Sequence, residues 1–172
     1  ALSGGGEEYK IRRKLIENDL VEAIVILPRS MFYTTDISVT LWILNKNKKS
    51  RTVQFPDETR NYRDRQNEIL FLDLREKGIP FEKKYTQFSE DNIFEITQAY
   101  HNWQTDLSIY KDVPEFCYAA KINEVIARDF SLVPSKYITF VNRDENIDFD
   151  DKMTALQTEF SEWLKAEAQS KT

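Results

Sequence analysis

The feature that most constrains this chain is a short, unbroken apolar run, Ala23-Ile24-Val25-Ile26-Leu27, closed by Pro28. A brief, β-branched-rich stretch with no polar interruption suits a strand buried on both faces. The segment Ile37 to Leu44 (Ile-Ser-Val-Thr-Leu-Trp-Ile-Leu) reads the same way and stops at Asn45-Lys46-Asn47-Lys48-Lys49. Two strands of this kind are normally covered by helices on either side, which places the first part of the chain in an α/β sheet.

The flanking segments supply the rest of that architecture. Gly4, Gly5 and Gly6 precede a predicted helix from Glu7 to about Asn18, with Glu7 and Glu8 where the helix dipole favours negative charge. Ile11, Leu15 and Ile16 give it an apolar face. A third strand is expected at Glu68–Asp73 and a weaker one at Thr52–Phe55, and the polar stretch 57–67 between them reads as a surface loop or short helix. Helices are expected over Asp91–Trp103, with Ile93, Ile96 and Tyr100 on one face, and over Asn123–Arg128. The most regular segment is the last. Phe149, Met153, Leu156, Phe160 and Trp163 recur at spacings of four, three, four and three, and Asp148, Asp150 and Asp151 sit at the start. That pattern predicts an amphipathic helix over about 148–168 with a seam for packing on another helix. The division expected is an α/β part over 1–86 and a mainly helical C-terminal extension over 87–172.

Charge divides along the same line. The net charge is -5, yet the Lys and Arg residues concentrate before residue 87 and the Asp and Glu residues after it. Nucleic-acid affinity comes largely from Lys and Arg displacing counterions, so any DNA contact belongs to the first half. The plainer reading is that both halves present solvated faces. One cysteine (Cys117) and one histidine (His101) exclude an internal disulfide and the usual zinc sites, so no metal is expected. The lone cysteine fits a reducing, cytoplasmic setting. No apolar stretch has the length of a membrane span, so no membrane contact is expected.

Catalytic machinery is missing from the sequence. A nucleotide-type cofactor in an open α/β sheet is held by a glycine-rich turn after a strand, whereas Gly4–Gly6 follow only Ala1-Leu2-Ser3 and Gly78 stands alone. There is no phosphate-binding loop of the P-loop kind and no nucleophile elbow to accompany His101, which reads as a surface or helix-capping residue. Asp73, at a strand end, is a single carboxylate without a partner. An independent small-molecule enzyme is therefore disfavoured, and no catalytic residue is assigned.

Three blocks resemble the methylation subunit of type I restriction–modification systems. The first runs from Ile11 through Pro28 (IRRKLIENDLVEAIVILP) and continues from Phe32 to Lys46 (FYTTDISVTLWILNK); the second is Ile69-Leu70-Phe71-Leu72-Asp73-Leu74-Arg75. The third is Tyr100-His101-Asn102-Trp103 with Phe116-Cys117 and Leu132-Val133-Pro134-Ser135-Lys136-Tyr137-Ile138. The resemblance covers about residues 7–165 and is most specific in the first block. It implies the late strands of a Rossmann-like, S-adenosylmethionine-dependent methyltransferase sheet, followed by the helical extension.

The resemblance also implies a function. Family members transfer a methyl group from S-adenosylmethionine to the N6 amine of adenine in DNA. Their glycine-rich loop and Asn-Pro-Pro-aromatic motif are both missing here. The chain is thus expected to be a C-terminal fragment that binds no cofactor and is inactive alone. In related adenine methyltransferases an aromatic residue between the last two strands stacks on the extruded base, a position that Phe32 occupies with Tyr33 beside it. An ordinary aromatic closing the sheet edge is the competing reading. Arg29 and Lys46 would contact DNA phosphate. The helical seam Phe149, Met153, Leu156, Phe160 and Trp163 would dock on the specificity subunit, within a complex that also holds the restriction subunit. Folding back on its own domain is the alternative for that helix. Loss of upstream strands would bare a sheet edge and favour self-association. The rival reading of the whole is a self-contained protein–protein interaction module with no link to methylation.

Overall fold

The computed structural model describes residues 1–141 and 149–170. The chain divides into two units, 1–140 and 141–172. The first opens with helix α1 (Gly6–Glu17), followed by β1 (Val21–Ile26), β2 (Thr40–Leu44), β3 (Arg51–Gln54), β4 (Thr59–Tyr62) and β5 (Glu68–Asp73). It continues through β6 (Ile79–Phe81), β7 (Tyr85–Gln87), α2 (Glu90–Thr105), β8 (Cys117–Lys121), α3 (Ile122–Ala127) and a 3-10 turn at Pro134–Lys136. The second unit holds α4 (Phe149–Ser170).

The main sheet has the order β2-β1-β5-β8. Its two central strands, β1 and β5, run parallel, and antiparallel strands flank them. Both central strands are buried along their length, which explains the apolar runs 23–26 and 69–72 within them. Strand pleating sends successive side chains to opposite faces. Ile69 and Phe71 therefore join Ile16 of α1, Val125 of α3, Leu132 and Tyr137 on one side. Leu70 and Leu72 join Trp103 of α2, Tyr110 and Phe116 on the other. Phe71 and Tyr137 stack in parallel, with centroids 4.1 Å apart.

One irregularity in β1 shapes the interior. Val21 pairs with Leu44 and Ala23 with Ile43, so the register shifts across Glu22. The extra residue lets Val21 and Ile24 share a face although they are three positions apart. Glu22 is fully buried there, accepting hydrogen bonds from Arg65 Nε at 3.1 Å, Gln104 Nε2 at 3.1 Å and the Asn45 side-chain amide.

The structure departs from the sequence expectations at several places. The second strand begins at Thr40 rather than Ile37, and it is an edge strand with Leu41 and Leu44 exposed, not a strand buried on both faces. Having a neighbour on one side only, it leaves one edge without cover within this unit. The polar stretch 57–67 contains β4, which forms a hairpin with β3. Residues 87–172 are not only helical: β8 adds to the main sheet beside β5, and the compact division falls after residue 140. On α1, Ile11 is exposed and Arg12 is buried in its place. Arg12 can face inward because backbone carbonyls of Phe130, Ala1 and Gly4 accept its N–H groups at 2.8, 2.9 and 3.0 Å.

Helix α4 matches the amphipathic segment read from the spacing, although Asp148 lies outside the described residues. Phe149, Met153, Leu156, Phe160 and Trp163 are all exposed along it. No helix among the described residues is long and apolar enough to cross a membrane.

Candidate functional site

Because β1 and β5 are parallel, the segments leaving them emerge at the same end of the sheet. This is the end at which open α/β sheets bind ligands. Three pieces meet there: the loop from Leu27 to Val39, the segment Leu74–Gly78 and the hairpin formed by β6 and β7. Their backbones are joined. Leu27 N–H donates to Val39 O, Leu74 N–H to Ile26 O and Thr86 N–H to Ser30 O, at 2.8, 2.9 and 3.0 Å.

Within the loop, Phe32 and Thr35 form an isolated antiparallel bridge, with Thr35 N–H donating to Phe32 O at 3.1 Å. This tight turn holds Phe32 and Tyr33 out of the core, at 46% and 74% exposure. Tyr33 packs edge-to-face on Tyr85 of β7, with ring centroids 4.6 Å apart. Ser30, Phe32, Tyr33, Thr34, Thr35, Asp36, Lys84 and Tyr85 wall a cleft of about 460 Å³. A second cleft of about 530 Å³ lies nearby, between Arg29, Ser38, Arg75, Lys77, Gly78 and Thr86. Both fall within the roughly 300–1,000 Å³ typical of small-ligand sites.

The charges at this end are mostly paired. Arg29 donates to the Asp36 carboxylate at 3.0 Å, and the Ser30 hydroxyl donates to the same carboxylate. The Ser30 hydrogen bond, helped by Arg29, holds the Asp36 carboxyl below its ordinary range. Arg75 grips the Asp73 carboxylate through Nε and Nη2, at 2.9 and 2.6 Å, and Lys77 reaches Glu95 at 2.7 Å. Asp73, a lone carboxylate in the sequence, is thus a partner for Arg75 rather than a free base.

The sequence-derived candidates do not all converge. Phe32, Tyr33 and Arg29 share the loop at the carboxyl end of β1. Lys46 does not join them. Strand β2 runs antiparallel to β1, with Thr40 opposite Ile26 and Leu44 opposite Val21, so Lys46 emerges at the far end of the sheet. A strand of this length spans roughly 17–20 Å, too far for the two cations to share a phosphate.

That far end carries ionic groups that sequence reading missed. Lys48 is only 2% exposed, and its ammonium donates to Asp19, to Val21 O at 3.2 Å and to Glu68 O at 2.7 Å. Arg63 and Lys121 both pair with Glu68. Burial alone would raise the Glu68 carboxyl, but the hydrogen bonds from Arg63 and Lys121 outweigh it and hold the group below its ordinary value. In the polar runs 45–49 and 60–65, nothing distinguishes these inward-facing cations from solvated ones. His101 is neither a free surface residue nor a cap. It lies within α2, 3.3 Å from Arg60 Nη1, and burial with that neighbouring cation pushes its pKa down.

Among the described residues no grouping of His, Cys, Asp and Glu could hold a metal ion. Cys117 is buried, and desolvation pushes its thiol up, away from the reactive thiolate. The glycines do not build a cofactor cradle. Gly4–Gly6 lead into α1 rather than out of a strand, and Gly5 and Gly6 have open space around them. Gly78 has a structural role instead. Its φ is +101°, and a Cβ there would come within 2.7 Å of Thr86 Cγ2. Its N–H also donates to Asn92 Oδ1, whose side chain completes the capping box with Ser89 at the start of α2.

The fold is that of a methyltransferase-subunit segment. The model of the family described as N-6 DNA Methylase matches residues 1–146, and the chain belongs to that family. It is 33% identical over 169 residues to the type I restriction enzyme HindI methylase subunit of Haemophilus influenzae, covering 95% of this chain and 34% of that protein. It is 34% identical to the MjaVIII methylase subunit of Methanocaldococcus jannaschii, covering 96% of this chain and 25% of that one. The chain therefore spans about a third or less of these relatives.

Solved structures agree on the fold. The methyltransferase subunit of a type I restriction–modification system from Streptococcus thermophilus superposes with a TM-score of 0.62 at 22% identity, over 81% of this chain and 25% of that one. A second chain, from a structure on complex assembly and conformational transition of the type I R-M system, has a TM-score of 0.52 at 16% identity, over 98% of this chain and 32% of that one.

Proposed function

We propose that this chain forms the target-base side of a type I restriction–modification methylase subunit, whose complete form transfers a methyl group from S-adenosylmethionine to adenine N6 in DNA. The observation that carries this reading is the 32–35 turn. It holds two aromatic side chains outside the core, beside a cleft, at the ligand-binding end of a sheet in an N-6 DNA methylase. An enzyme that modifies a base within a duplex must extrude that base and hold it by stacking. Phe32 and Tyr33 offer the aromatic surface. The methyl donor is bound by other parts of the complete subunit, and this segment by itself is inactive.

A second role falls to α4. Its exposed stripe, Phe149, Met153, Leu156, Phe160 and Trp163, suits docking on the specificity subunit, in a complex that also carries the restriction subunit. In support, a structural neighbour comes from a structure of type I R-M complex assembly. An interaction module with no link to methylation loses its ground once the family is known.

The test is Phe32→Ala in the complete methylase complex. The expected result is a severe loss of methylation, and of the fluorescence of 2-aminopurine placed at the target position, with assembly intact. Unchanged methylation and unchanged base extrusion would sink the proposal.

A further inference from the structure

We infer that the hairpin of β6 and β7 is a DNA-backbone contact of the same site, with Lys83 and Lys84 holding phosphates beside the base that the Phe32 loop receives. This inference rests on the base-loop reading and adds to it a binding element not assigned from the sequence.

The first argument is attachment. The hairpin is fixed to the aromatic loop by the Thr86 N–H to Ser30 O hydrogen bond at 3.0 Å and by the Tyr33–Tyr85 ring contact. Its base is fixed by Gly78, whose lack of a side chain lets Thr86 and Gln87 approach, and by the Asn92 side chain that accepts from Gly78 N–H. The hairpin therefore keeps a set position relative to Phe32.

The second argument is presentation. Phe81 pairs with Tyr85, leaving Glu82, Lys83 and Lys84 as the connecting turn. Glu82 and Lys83 both adopt left-handed backbone, with φ of 48° and 62°. That turn carries Lys83 and Lys84 into solvent, and Lys84 also walls the Phe32 cleft. Glu82 shares the tip and offsets part of the charge, leaving a net positive end.

The third argument is elimination among the cations at this end. Arg29 is held by Asp36, Arg75 by Asp73 and Lys77 by Glu95. Lys46 stands at the opposite end of the sheet. No ion pair to Lys83 or Lys84 occurs among the described residues, and both are exposed. A lysine with no carboxylate partner can neutralise a phosphate without first breaking an ion pair, and each such contact releases counterions. Lysine suits this task as a mobile point charge rather than a fixed fork.

The experiment measures DNA affinity against salt concentration for the complete methylase complex carrying K83A and K84A together. The expected result is weaker binding on target and non-target DNA alike, with the log–log salt slope shallower by about 0.9 for each phosphate no longer neutralised. K83R with K84R should retain both affinity and slope. Unchanged affinity and slope in the double alanine variant overturn the inference. If that variant is silent while Phe32→Ala cripples methylation, the hairpin inference fails alone. If Phe32→Ala is silent while the alanine variant binds DNA weakly with a shallower slope, the base-loop reading fails and the hairpin stands as a DNA contact.

Discussion

The Glu22 carboxylate accepts a hydrogen bond from Arg65 Nε at 3.1 Å, and neither side chain has any exposed surface. The pair joins the register shift in β1 to the end of α2, where Gln104 donates to the same carboxylate. Breaking a buried pair from one side strands a charge away from water. Glu22→Ala or Arg65→Ala should each cost about 3–5 kcal/mol of stability, measured by urea unfolding. Glu22→Leu combined with Arg65→Met should cost less than either alanine change. Single variants within about 0.5 kcal/mol of the parent would show that the pair contributes nothing.

Tyr33 and Tyr85 link the loop from Leu27 to Val39 to the β6–β7 hairpin. Edge-to-face pairs add about 0.5–1.5 kcal/mol beyond their area, and the exposure of Tyr33 puts this one near the low end. A double-mutant cycle of Tyr33→Ala and Tyr85→Ala should return a coupling of that size. A coupling of zero would mean that the two segments are held by the Thr86–Ser30 backbone bond alone.

His101 and Glu68 make stability depend on pH in separate windows. The pKa of His101 is pushed down by burial and by Arg60, so the folded chain resists protonating it more than the unfolded chain does. Stability linked to His101 is full above its unfolded pKa, about 6.5, and is lost as pH falls through the folded value. Glu68 is held low by Arg63 and Lys121, so its contribution is present above about 4.3 and is lost as pH falls further. Chemical denaturation from neutral to acid pH should show one decline in the His101 window and another in the carboxylate range, where Glu68 joins Asp36 and Asp106. His101→Gln should remove the upper one and leave the lower.

The open edge of β2 exposes Leu41 and Leu44 and borders an apolar groove that Ile11, Leu15 and Trp42 help to line. Unpaired strand edges recruit other chains, and a lysine on such an edge is a common block. This chain alone is expected to self-associate as its concentration rises. Leu44→Lys should shift sedimentation toward monomer. A chain that stays monomeric at high concentration, without substitution, would contradict this.

The residues differ in how far they disclosed their structural roles. The apolar runs at 23–27 and 69–72 identify the central strands, because burial on both faces favours apolar side chains and leaves a short unbroken trace within each strand. Helix α4 was equally legible, since its stripe recurs at helical period. Strand β4, strand β8 and the start of β2 were not. Each is short or partly exposed, and its pattern is too weak to tell strand from loop. Among candidate site residues, the loop position of Phe32 and Tyr33 followed from chain order, whereas the separation of Lys46 from Arg29 required the antiparallel pairing of β2 with β1.

By itself the sequence determined the class of fold, the family motif that spans β1 and β2, and the lack of a glycine-rich cofactor turn. These depend on local composition and spacing, which chain order preserves. Tertiary structure alone decided which charges turn inward. Lys48, Arg12 and Arg65 resemble solvated residues in the sequence, yet each is buried because distant carbonyls or carboxylates accept its hydrogen bonds. It also decided that the hairpin carrying Lys83 and Lys84 stands beside Phe32, which lies far earlier in the chain. The physical reason is common to both. A charge is stable inside only where partners far away in sequence converge on it, and that convergence exists only once the sheet has formed.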